Sequence, residues 1–270
     1  MSLNAVRKVA LAVFKESVRD RVPFSMVLFS AVLMGAAYLM SQLTAGQDLK
    51  VIKDLGLATM NAIGLLISIF IGTGLVSKEV ERRSIYSILA KPLSRSSFIV
   101  GKYAGLVLTL AVNLALMTVA FYAMLLYLSW TTADWVQQGW RAAAADPGLL
   151  LPIALIGVQL MLTTAVAVFF STFSSPLLAM LFTLGVWVAG HFSGDLRNFQ
   201  AAVDSPAAAA VARGLYYVLP NLAAIDVKNE IVHGRTVPWQ AVGIGVASLA
   251  SYIGVLVAAS TLVFNRRDFK

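Results

Sequence analysis

Charge in this chain is concentrated where chemistry would be expected. Lys78, Glu79, Glu81, Arg82, Arg83, Lys91, Arg95 and Lys102 fall in one segment, Val76–Lys102, which reads VSKEVERRSIYSILAKPLSRSSFIVGK. Carboxylates interleaved with guanidiniums suit paired charge contacts with another surface. Gly101-Lys102 has the look of a phosphate-binding loop, but the earlier glycine position is Ser96, and Tyr103 stands where Ser or Thr would hold magnesium. No nucleotide site follows from this segment.

Other chemistry is sparse. The chain has no cysteine, so it offers neither a disulfide framework nor a thiolate nucleophile or metal ligand. Its histidines, His191 and His233, are far apart, and no H-E-x-x-H or aspartate-rich metal pattern occurs. No metal site, catalytic residue or cofactor is expected in the chain. The long apolar runs hold no Asp or Glu, whereas ion-coupled carriers place acids or histidines there. The driving energy is therefore expected from outside the chain. Asn61, Asn113 and Gln159 are the polar residues within those runs, besides Ser and Thr. They suit either the lining of a path or interhelical hydrogen bonds.

The elements that would position these residues are membrane helices. The chain is 59% hydrophobic and only 13% charged, against about 25% charged for soluble domains, with a mean hydropathy of +0.80. The net charge of +8 does not point to nucleic acid, because the basic residues cluster beside apolar runs. No cleavable signal peptide is expected, since the first apolar run begins only at Pro23. About 20 apolar residues cross about 30 Å of hydrocarbon. Windows free of charge give six spans at 23–40, 55–76, 103–128, 149–170, 176–192 and 239–264. The polar turn Ser171–Pro176 separates the fourth from the fifth. The expected fold is all-α and polytopic, a single transmembrane domain over residues 1–270.

Lys and Arg set the orientation. With both termini inside, the inner side holds Arg7, Lys8, Lys15, Arg19, Arg21, Lys78, Arg82, Arg83, Lys91, Arg95, Lys102, Arg266, Arg267 and Lys270. The outer side holds half as many: Lys50, Lys53, Arg141, Arg197, Arg213, Lys228 and Arg235. That bias predicts cytoplasmic termini. Residues 2–21 place Leu3, Val6, Ala10, Val13, Phe14 and Ser17 on one helical face, with Lys8, Lys15 and Arg19 on another. This reads as an interfacial helix on the inner membrane surface; a simple basic flank is the plainer alternative. Ser193–Pro238 is too long to be structureless. Two short outer helices are expected there, one from Ser205-Pro206 to Tyr217 and one from Leu222 to Gly234. Trp130, Trp135, Trp140, Tyr216, Tyr217 and Trp239 suit anchoring at the outer interface.

Residues 78–90 carry a helical apolar stripe of Val80, Ser84 and Ile88, with Ile85 and Leu89 slightly offset, and Pro92 ends it. Such a helix docks its stripe in a groove and holds register by charge pairs, or is merely a solvated connector. The stretch resembles the signature of permease subunits of type-two ATP-binding-cassette exporters. Glu81-Arg82, Ser84-Ile85, Ile88-Leu89, Pro92-Leu93-Ser94-Arg95 and Gly101-Lys102 occupy the places of that family's Glu-Arg, Gly-Thr-Leu-like triplet, leucine pair, Pro-x-Ser-Arg and Gly-Lys. Arg83 replaces the usual glycine, and this looks closer to the branch of the nitrous-oxide-reductase maturation permease.

The resemblance implies two paired permease chains, identical or related, in a bacterial inner membrane. It implies a cytoplasmic ATP-binding-cassette (ABC) ATPase subunit bound to each, with ATP and magnesium held in those subunits rather than in this chain. The chain itself is then not an enzyme. Residues 78–90 become a coupling helix, with Glu79, Glu81, Arg82, Arg83, Ile85, Leu89, Pro92 and Arg95 carrying the ATPase contact. Export of a lipid-like cargo is one expectation; ATP-driven mechanical work on an outer, periplasmic partner is the other.

Overall fold

Backbone amides in hydrocarbon must find partners within their own segment, so an apolar chain of this kind folds as helices. A computed structural model describes residues 3–43, 48–81, 94–138, 140, 143–193, 210, 213–214, 216, 218–232 and 235–266. In chain order the helices are α1 (Leu3–Leu43), α2 (Asp48–Glu81), α3 (Arg95–Thr131), α4 (Asp134–Gln137), α5 (Leu150–Ser171), α6 (Pro176–His191), α7 (Lys228–Val232) and α8 (Trp239–Arg266). Short 3-10 turns at Pro147–Leu149 and Ala223–Ile225 precede α5 and α7. No strand occurs among the described residues.

Among the described residues, four stretches are long and apolar enough to cross a membrane: Leu49–Gly74, Arg95–Thr131, Pro147–Ser171 and Trp239–Arg266. Phe24–Ala36 and Pro176–His191 are shorter apolar stretches. Spanning length is thus met at four of the six expected places, and the first and fifth expected spans fall on the shorter two. The expected turn before the fifth is present: α5 stops at Ser171, and Pro176 occupies the first helical position of α6.

Helices α2 and α3 extend well beyond the charge-free windows. α3 begins at Arg95 rather than 103, and the apolar part of α2 begins at Leu49 rather than 55. The windows stop at Lys102 and at Asp54, yet the helices carry these charges: Lys102 and Lys53 are buried, 1% and 4% exposed, and Asp54 is half-buried. Lys53 sits one turn from Leu49 and from Leu57 on a buried face. Its Nζ donates to the Ala143 carbonyl at 2.8 Å.

The largest departure concerns residues 2–21. They were expected to form a surface helix separate from the first span, yet α1 is continuous through Pro23. Its 41 residues rise about 62 Å. Val13 and Ser17 are buried four residues apart, and so are Ser25, Phe29 and Leu33; the eight residues from Ser17 to Ser25 keep the same register, so the buried stripe of the amphipathic half continues into that of the apolar half. That stripe lies along α3, its most extensive partner. A methyl at Gly101 would sit 2.7 Å from Val9 Cβ, and one at Gly105 2.6 Å from the Ala10 carbonyl oxygen. The two glycines are a notch for α1, as small residues four apart allow in membrane helices. The expected apolar face exists, but protein rather than lipid covers much of it.

Contacts fix the helix directions. Val9 meets Gly101, Val13 meets Gly105, and Ser25 bonds Asn113, so α1 and α3 run the same way. Gly64 meets Leu160 and Gly72 meets Ala167, so α2 and α5 also run together. Phe98 at the start of α3 meets Phe264 at the end of α8. One end of the bundle therefore gathers Val13, Ile71, Phe98, Val168 and Phe264 into a cluster.

At the other end, the expected helix 222–234 is two shorter pieces, and it enters the bundle rather than lying over it. Leu222, Ile225 and Val227 are at most 3% exposed and pack with Leu155, Leu162, Val242 and Leu249. The Leu222 amide donates to the Gly190 carbonyl at 3.1 Å. Most of the expected helix 205–217 lies outside the described residues. Trp130, Trp135 and Trp239 are exposed, whereas Trp140 packs on the core.

Filling the notch should be costly. Gly105→Val forces α1 off α3 and is expected to destabilise by about 1–3 kcal/mol, as overpacking does. Gly254→Val, on α8 with open space around it, should leave the detergent melting temperature unchanged.

Candidate functional site

The charged segment re-enters the bundle at Ser94. Ser94 is extended (φ −67°, ψ 140°), and its hydroxyl accepts from the Ser97 amide at 3.3 Å. It thereby caps one of the four amides that a helix start leaves without partners. The Ser94 and Ser97 hydroxyls lie 2.7 Å apart.

Arg95 follows as the first helical residue, and its Nη1 donates to the Asn265 carbonyl at 3.1 Å. Asn265 lies in the last turn of α8, where carbonyls lack helical partners and the helix dipole is negative. A guanidinium is the natural group for that position. Asn265 Nδ2 donates in turn to Ser96 Oγ at 3.3 Å.

One turn deeper, the Phe98 and Phe264 rings stack with centroids 5.9 Å apart at 23°. Lys102 Nζ lies 4.5 Å from the Phe98 centroid. Aromatic pairs contribute about 0.5–1.5 kcal/mol beyond buried area, and a desolvated cation over a ring about as much again. Gly101, between Phe98 and Gly105, admits α1. Three helices therefore meet at the base of α3: α1 by close backbone approach, α8 by polar bonds and ring stacking, and α3 itself.

The sequence-predicted coupling residues divide sharply. Arg95 lies at this junction. Glu79 and Glu81 lie on the last helical turns of α2, which continues unbroken through the first residues of the expected helix 78–90. Arg82, Arg83, Ile85, Leu89 and Pro92 lie outside the described residues.

The in-span amides do not converge on one site. Asn113 Nδ2 donates to Ser25 Oγ at 2.8 Å, joining α3 to α1. Gln159 Nε2 donates to the Leu222 carbonyl at 3.3 Å, tying α5 to the segment before α7. Asn61 is buried on α2. The side-chain oxygens of all three have no partner in the structure. No group of carboxylates, histidines or cysteines that would hold a metal occurs among the described residues.

Sequence reasoning missed Phe98, Phe264, Asn265 and the burial of Lys102. Phe98 and Lys102 are four residues apart, which already places them on one helical face. Their partners on α8 have no local signal. It also missed the opposite end, where Tyr122 donates to the Asp146 carbonyl at 2.8 Å beside the Lys53–Ala143 bond. The Asp146 side chain there accepts from the Gly148 amide at 2.8 Å.

Removing the ring pair should loosen the junction. Phe264→Ala is expected to cost about 3–5 kcal/mol, the usual range for a buried phenylalanine. The check is a fall in melting temperature in detergent larger than that of Val255→Ala on the exposed face of α8.

Residues 8–269 match the family described as ABC-2 family transporter protein. No curated protein matches the chain.

Proposed function

The chain belongs to the ABC-2 family of transporter proteins, and on that premise we propose that it is the permease of an exporter, worked by ATPase subunits docked between α2 and α3. As an ABC-2 permease it is a multi-pass membrane protein and a transport subunit, and the family implies a partner ATPase.

The observation that carries the docking reading is the junction at the base of α3. In the chain, the charged segment joins the end of α2 to Ser94. A displacement of that segment is delivered at once to α3, through Arg95 to α8, and through Gly101 to α1. A merely solvated connector would not need its return arm capped, bonded and stacked in this way. ATP hydrolysis can bias two bundle arrangements only if they differ in their contacts with the ATPase. In this reading Glu79, Glu81, Arg82, Arg83, Ile85, Leu89 and Pro92 make those contacts, and Arg95 passes the motion inward.

The chain crosses a bacterial inner membrane six times with both termini cytoplasmic, α1 and α6 supplying the two shorter crossings. It pairs with a second permease copy, and ATP and magnesium reside in the ATPase subunits. The cargo is lipid-like, because burial of a highly charged one would be expensive among spans without acids. Arg83 favours the maturation-type branch of the family.

A second reading has support from one observation. Pro220–Val232 is seated in the bundle by the Leu222–Gly190 and Gln159–Leu222 bonds. Motion of α5 and α6 would therefore reach the outer stretch 194–219, as an actuator of an outer partner would require.

The test is co-purification in detergent with an ATPase encoded beside the chain. The intact permease should retain two ATPase subunits per two permeases, with magnesium-dependent hydrolysis. Glu81→Ala with Arg82→Ala should weaken retention about tenfold or more, as truncating paired interface charges does. Equal retention by both proteins would remove the docking reading. Stable capture of an outer protein, with no cargo moved, would favour the actuator.

A further inference from the structure

A cavity of about 420 Å³ lies between α3 and α5. On α3 it runs from Val107 to Thr118, and on α5 from Leu150 to Met161. Each stretch covers eleven residue steps, about 16 Å of helix. That is about half of a 30 Å hydrocarbon core, the depth of one leaflet. One end adjoins the Tyr122–Asp146 bond, and the other stops near mid-bundle, where the Tyr103 hydroxyl donates to the Met161 carbonyl at 3.3 Å.

The lining decides what the cavity can hold. It carries no charged side chain, and its one hydroxyl, on Thr118, already donates to the Leu114 carbonyl at 2.7 Å. Apolar cavities of this kind stay free of water. Left empty, the lining atoms would forfeit their dispersion contacts. Ala111, Ala115, Leu150 and Ala154 are exposed, so the cavity opens sideways from the bundle into the surrounding hydrocarbon.

The groove is shallow and slender, about 420 Å³ spread along about 16 Å of helix, a shape that suits a single extended hydrocarbon chain. A stable protein interface engages about 20–30 residues on each side, far more than these two short stretches offer.

We propose that the α3–α5 groove is a lateral binding site for one acyl chain of a membrane lipid. Ala111, Ala115, Ala154 and Gly157 leave the space that the chain fills. The site lies at the end of the bundle opposite the charged segment. It rests on the proposed orientation only in being assigned to the outer leaflet.

The test uses the full-length permease in phosphatidylcholine vesicles. A trace of the lipid carries a photoactivatable diazirine midway along one acyl chain, and crosslinked residues are mapped by mass spectrometry. Label is expected on the groove residues of α3 and α5 at about fivefold or more above Leu177, Leu178 and Leu181, three exposed leucines of α6. Ala111→Phe with Ala154→Phe should abolish that excess. Gly185→Phe, at an open position on α6, should leave it intact.

Even labelling of α3, α5 and α6, indifferent to the groove-filling pair, would overturn the proposal. So would a groove without label in which engineered cysteines crosslink two copies of the chain. Placing the diazirine near the terminal methyl or near the ester reports the direction of entry. The vesicles contain no ATPase, so failure of the docking reading would not alter any of these outcomes.

Discussion

Close approach of α1 to Gly101 and Gly105 is the contact on which the charged end of the bundle depends. In a bilayer, helices gain little by hiding apolar surface from one another, because lipid is as apolar as leucine. What holds them is packing at short range, and glycine permits the shortest. With the notch filled, the buried stripe of α1 from Val13 to Leu33 would lose its register on α3. The Asn113–Ser25 bond, twelve residues from Gly101 along α3, would lose it too.

Charge deep in the helices is tolerated through other contacts. A lysine in hydrocarbon is costly unless something answers its charge. Lys102 lies over Phe98, which is itself held in place by Phe264. Lys53, at the other end, is satisfied by a carbonyl of the loop before α5. The buried lysines thus lie toward the two ends of the bundle: Lys102 over the ring that the end of α8 stacks on, Lys53 bonded to the loop before α5.

The two ends are built differently. At the charged end, the return arm of the Val76–Lys102 segment is capped, bonded and stacked onto its neighbours. At the opposite end, the 220–232 segment is inserted between helices, and the α3–α5 groove opens to lipid. Small residues serve both ends in opposite ways. At Gly101 and Gly105 they let a helix in, whereas at Ala111, Ala115, Ala154 and Gly157 no helix enters and a gap remains.

The sequence by itself determined the class of the molecule. Its apolar runs, its one dense charged segment and the order of residues from Glu81 to Lys102 were enough to indicate a helical membrane permease. The Ser171–Pro176 turn was legible too, because proline and hydrophobic run length act locally. What only the tertiary structure decided was which helix each face meets. The amphipathic pattern of residues 2–21 is the same whether lipid or α3 covers it, and only the position of Gly101 and Gly105 in space selects α3. The charge-free windows stop at Lys102 and at Asp54, beside Lys53, because a sequence does not show that the Ala143 carbonyl will meet Lys53 or that Phe264 will hold the Phe98 ring beneath Lys102. Ser94, Arg95, Gly101 and Lys102 could be recognised as a pattern, but their separate tasks as cap, dipole partner, notch and ring-bound cation became distinct only when α8 and α1 were packed beside them.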